Sequence, residues 1–288
     1  MLNKKLEWKR VGIYFVLSYL IAYVPEIILG SKMGNIDDWT DPKLMVFMLF
    51  ATFSPALAVV LTRWMTKEGW KDSYLHIHFK GNLKYYLLAT FLGPIFGIGE
   101  GVLLNLMLGK MPFAGFSLVQ FLGIFLLLVG MAIPLSFINF GEELGWRGYL
   151  YPKLEKLIGI PGTIIIGGIV WGLWHAPLTV KGHNFGTDYP GFPYVGLILM
   201  SLYCTGLGIF LMWLTRKTNS VYPASIAHSV NNNAIGAISY TIASTTQEEE
   251  MTFLNNAIVL LSTVTVLGII FTILMLKENK SKSIPAEN

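Results

Sequence analysis

The sequence predicts an all-α, polytopic membrane protein of about eight transmembrane helices, and three observations carry that expectation. Of its 288 residues 53% are hydrophobic and only 13% charged, far from the balance of a soluble domain. Apolar runs suited to spans of ~20 residues recur at about 11–29, 44–64, 84–108, 120–152, 163–180, 193–215, 221–241 and 254–276. The basic residues between those runs are unevenly shared. With eight alternating spans, one side collects sixteen of the 21 Lys and Arg, the other four, and Arg147 falls within the membrane. The positive-inside rule then places both termini in the cytoplasm.

Each stretch follows from that frame. Lys4, Lys5, Lys9 and Arg10 precede the run from Val11 to Leu29. Its outline is that of a signal peptide, but it is too long and lacks a small-residue cleavage site, so it reads as the first transmembrane helix. Residues 1–280 form a single membrane-embedded domain, with 281–288 a short disordered tail. The pI near 9.0 does not indicate a nucleic-acid partner, because the cations are scattered through short loops and form no stripe. The lone cysteine, Cys204, excludes an intramolecular disulfide and a Cys-based metal site, and reads as packing. The loops suit a prokaryotic plasma membrane, and the chain is expected to be a monomer in the lipid bilayer.

The chemistry concentrates in Gly141-Glu142-Glu143-Leu144-Gly145-Trp146-Arg147, directly after a long apolar run. A charge at that depth costs at least roughly 2.5–3.5 kcal/mol, which makes it a functional-site hypothesis. On a helix Glu143 and Arg147 stand at i and i+4 and can pair, while Glu142 points about 100° away with no partner on its own helix. Three further polar groups lie in apolar surroundings: His175, four residues after Trp171, and the pair His228 and Asn232, also four apart. Depth provides an independent check. At ~1.5 Å rise per residue, Glu142 lies roughly 18 Å from a helix end near Leu154, His175 roughly 18 Å from a start near Thr163, and His228 and Asn232 roughly 9 and 15 Å from Tyr222. Four groups can therefore meet in a pocket between the fourth, fifth and seventh helices.

An acid, two imidazoles and a carboxamide suit hydrolysis of an amide by activated water. Glu142 would take the proton from water and pass it to the leaving amine, His175 would hold the water or share the transfer, and His228 and Asn232 would donate to the oxyanion. Glu143 and Arg147 would support that site. The ordered set Glu-Glu-x-x-x-Arg, aromatic-x-x-x-His and His-x-x-x-Asn resembles the CAAX-protease and bacteriocin-processing (CPBP, or Abi) family of intramembrane glutamic endopeptidases. It is nearest the type II CAAX prenyl endopeptidases. The similarity covers about 141–233, and Trp171 stands where the family commonly carries Phe. By that resemblance Glu142, His175, His228 and Asn232 are catalytic, Glu143 and Arg147 are motif members, and no cofactor is required. The implied substrate is a peptide or lipidated protein C-terminus presented at the membrane.

Other readings remain open at this stage. Glu143 with Arg147 also fits a structural ion pair, His175 could bond a carbonyl freed by Pro177, and His228 with Asn232 could join helices. Two His and one Glu could hold a catalytic zinc, although no His-Glu-x-x-His is present. Glu26 and Glu100, two further intramembrane acids, would suit a proton-coupled transporter or scaffold, against which stands the lack of an internal repeat.

Overall fold

A computed structural model describes residues 3–30, 42–114, 116–243 and 252–283. The described residues are helical apart from turns and short connections. The helices are α1 (Lys4–Gly30), α2 (Pro42–Met65), α3 (Leu83–Met107), α4 (Leu118–Gly145), α5 (Tyr151–Trp174), the single turn α6 (Ala176–Thr179), α7 (Tyr194–Thr218), α8 (Tyr222–Val230), α9 (Gly236–Ile242) and α10 (Phe253–Ser283). Two π-turns, Trp146–Leu150 and Asn231–Ile235, join α4 to α5 and α8 to α9 without breaking the chain's helical course. All eight expected apolar runs fall on helix. Five stretches are long and apolar enough to cross a membrane on length and composition alone: Lys4–Ile27, Leu83–Met107, Leu118–Trp174, Tyr194–Thr218 and Phe253–Asn279. The protein is an all-α, polytopic integral membrane protein.

Three boundaries differ from expectation, each for a local reason. The fourth and fifth runs form one continuous stretch. Its bend lies at Gly159, whose φ of 72° and ψ of 178° leave the helical region, a conformation open to glycine at little cost. Pro161 follows, suited to the first turn of the resumed helix. From Leu118 to the bend the stretch measures roughly 60 Å, about twice the hydrocarbon thickness. Glu142 is therefore roughly 24 Å from its end, not 18. The fifth helix stops at Trp174, with His175 as its cap and α6 turning away from it. The last helix extends through Ser283, into the tail expected to be disordered; the rest of that tail lies outside the described residues.

The core lies where α5 packs on α7, α7 on α10, and α4 on both α2 and α8. The first two thirds of α4 turn large apolar side chains such as Leu126, Ile133 and Phe137 outward, whereas Gly141 to Gly145 are all buried. Apolar exposure is the expected state in lipid. Burial of the last turn follows from its small residues. A Cβ on Gly141 would stand 2.6 Å from the Thr52 carbonyl oxygen, and one on Gly145 would meet Pro55 and the Tyr14 hydroxyl. Gly-x-x-x-Gly thus lets α4 touch α1 and α2 at backbone distance, and the two carboxylates between the glycines are carried into the protein interior.

Candidate active site

Glu143 is the fixed member of the acidic pair. Its Oε1 accepts from Arg147 Nη1 and from His228 Nδ1, each at 2.8 Å, and the Glu143 and Arg147 side chains are fully buried. The remaining guanidinium N–H groups meet no oxygen among the described residues. Aromatic faces cover the group instead, Trp171 at 3.8 Å and Tyr151 at 4.9 Å from Arg147 Cζ. A buried charge is tolerable only when paired in this way. The expected i, i+4 pair is therefore present, and its third member, His228, comes from another helix.

Glu142 is held differently. Among the described residues no cation pairs with it; its Oε2 accepts from the indole Nε1 of Trp171 at 2.9 Å. Trp171 stands at the centre of the cluster. The His228 ring stands nearly perpendicular to it, with centroids 5.3 Å apart and planes at 83°, and the His175 ring lies 6.0 Å away. His175 Nδ1 is 2.9 Å from the Trp171 carbonyl oxygen. A carbonyl only accepts, so the proton sits on Nδ1 and the neutral ring presents Nε2 as a bare acceptor. Trp174 packs edge-on against His175 at 4.8 Å. Cys204, expected to be mere packing, is buried and free but places its Sγ 3.9 Å from His175 Nδ1.

Glu142, His175 and His228 thus converge on one indole, supported by Glu143 and Arg147. Asn232 does not join them through any contact among the described residues. It is exposed, and its Oδ1 accepts from Asn231 Nδ2 at 3.0 Å. Asn231, which α-helical spacing turns away from the site, is buried and also donates to the Tyr203 hydroxyl at 2.6 Å. Its place three residues after His228 was the available signal. Among the described residues no three His, Cys, Asp or Glu side chains are grouped as a metal site would need.

Each π-turn contains a motif residue, Arg147 in one and Asn232 in the other, and such turns recur at functional sites. The stretch they enclose also carries the likeness to known proteins. Residues 118–234 match the family model described as type II CAAX prenyl endopeptidase Rce1-like. Over that stretch the chain is similar to the Rce1-like membrane proteases. It is 26% identical over 229 residues to CAAX prenyl protease 2 of Methanococcus maripaludis, an alignment covering 76% of this chain and 82% of that relative. The Rce1-like stretch begins with α4 and ends in the second π-turn, so it contains every group of the cluster. The other buried acids lie outside it. Glu100 on α3 is hydrogen-bonded by Thr263 of α10, and neither oxygen of Glu26 on α1 has a hydrogen-bond partner among the described residues.

Proposed function

We propose that this Rce1-like protein is an intramembrane endopeptidase that cleaves a membrane-presented peptide near its C-terminus with water activated by Glu142, without a covalent intermediate. The observation that carries this is the division of labour within Glu142-Glu143. One carboxylate is bonded by a cation and an imidazole, while the other, one residue away, is buried and, among the described residues, takes a single hydrogen bond, from an indole. A buried acid that is not itself ion-paired is a suitable general base.

The remaining groups fall into roles their hydrogen bonds permit. His175, with its proton committed to a backbone carbonyl, offers Nε2 to receive or orient the water. His228 keeps Nδ1–H on Glu143, and whenever its Nε2 carries a proton that N–H can donate to the tetrahedral oxyanion. Asn232, whose carbonyl oxygen is taken by Asn231, retains its amide N–H groups as a second donor. Both termini face the cytoplasm in this reading, and the substrate is a lipid-modified C-terminus of the kind named in CAAX prenyl protease 2.

The test is cleavage of a farnesylated CAAX-type peptide, and of the same peptide without its lipid, by purified protein in nanodiscs. Replacement Glu142→Gln keeps shape and removes the base; cleavage should fall by about 10²–10⁴-fold, the range for a lost general base, with the unfolding transition unchanged. Cleavage by E142Q at the wild-type rate would sink the proposal. Equal rates on the two peptides would keep the protease and remove the prenyl substrate.

A further inference from the structure

We infer that Trp171 is the positioning residue of the catalytic carboxylate: its indole N–H holds one oxygen of Glu142 so that the other is aimed at the water. The inference rests on the reading of Glu142 as the base and names what makes that base directional. Among the described residues the indole Nε1 makes the single hydrogen bond that reaches the Glu142 side chain, at 2.9 Å across 29 residues of sequence. A carboxylate held at one oxygen only can still turn unless its donor is itself immobile. This donor is. Trp171 is 1% exposed, the centre of its ring lies 3.8 Å from the Arg147 guanidinium carbon, and the His228 ring packs on it at 83°.

The same contacts join the two acids. Arg147, which lies over the indole, is the cation of Glu143, and His228, which touches its ring, is the second donor to Glu143. Through one side chain the neutralised carboxylate therefore fixes the geometry of the free one. A phenylalanine could fill the space and offer Arg147 a ring face, but it has no N–H. Tyrosine would place its donor at the far end of the ring. The position is therefore not an interchangeable aromatic in this chain, because what Glu142 uses is the heteroatom.

The experiment separates the N–H from the ring. Trp171→Phe is compared with a protein carrying 3-benzothienylalanine at 171, which keeps the bicyclic shape with sulfur where the N–H was, so that it folds even if Phe leaves too large a gap. Both are assayed in nanodiscs beside wild type and E142Q. Loss of a hydrogen bond to a charged group corresponds to roughly 10- to 100-fold, and the structure assigns that loss to kcat with KM unchanged, since the indole holds the base and not the substrate. The double variant with E142Q should be no slower than E142Q alone. Undiminished kcat in the benzothienyl protein, or a rise in KM that accounts for the whole loss, overturns the inference while Glu142 keeps its role. Wild-type activity in E142Q overturns the reading beneath it.

Discussion

Two ionic clusters of similar composition sit in this protein, and they are built on opposite plans. The inner one has a single carboxylate, Glu143, serving Arg147 and His228 through one oxygen, in full burial. The outer one ties the start of α1 to the segment after α2 and to α5. Lys153 bonds Glu7 and Glu68 at 2.6 Å each, Arg10 reaches both acids, Arg63 stands 3.9 Å from Glu68, and the Tyr149 hydroxyl donates to Glu68 at 2.9 Å. Its ion-paired side chains, Arg63 aside, retain 10–15% exposure. The inner cluster has no spare partner and the outer one is redundant. The first is therefore suited to hold a geometry and the second to hold helices together.

The contrast predicts unequal penalties. Arg147→Met keeps the length of the side chain but leaves Glu143 as a buried charge with only an imidazole to compensate it. Breaking a buried pair from one side destabilises by roughly 3–5 kcal/mol, which reversible unfolding in mixed detergent micelles would register as a large shift of the midpoint. A shift under about 1 kcal/mol, the range of an exposed pair, would mean that water or lipid headgroups reach Glu143 and that the inner cluster is not closed. Lys153→Met is the matching change in the outer cluster. Arg10 and Arg63 remain beside Glu7 and Glu68, so the loss is expected to be smaller, roughly 1–2 kcal/mol for hydrogen bonds to charged groups that are partly replaced. Equal losses in the two variants would erase the distinction between hub and network.

The two clusters also differ in how legible they were. The inner pair could be read from the sequence because intramembrane charge is conspicuous, and because i, i+4 spacing from Glu143 to Arg147 survives the π-turn that begins at Trp146. The eight apolar runs were equally plain, since lipid imposes length and hydropathy together. Three features were hidden. The bend at Gly159 depends on one backbone torsion, the exposed place of Asn232 on its side-chain bond with Asn231, and the hold on Glu142 on a donor 29 residues away. Periodicity assumes a constant 3.6 residues per turn and sees neighbours only along one helix. It therefore placed His175 and His228 near Glu142 and treated Trp171 as a ring without its nitrogen. The outer cluster was missed altogether, because Glu7, Glu68 and Lys153 lie at helix ends where charges are ordinary.

The smallest expected effect marks the lower end of the scale. Lys217 at the end of α7 pairs with Glu278 of α10 at 2.6 Å, but the two side chains are 27% and 32% exposed, and Lys217 also lies 5.8 Å from the centre of the Trp213 ring. Exposed pairs of this kind are worth about 0.2–1 kcal/mol, because solvent screens the attraction and two long side chains lose rotamer freedom to form it. Lys217→Met keeps an apolar stem over Trp213, so only the charge term is removed. The unfolding midpoint should move by less than about 1 kcal/mol, and the difference from wild type should vanish near 1 M salt, where the Debye length is ~3 Å. Lys153→Met should keep most of its effect in the same salt, since its partners are screened far less. A loss at Lys217 as large and as salt-resistant as that at Lys153 would show that burial does not set the hierarchy of ion pairs in this protein.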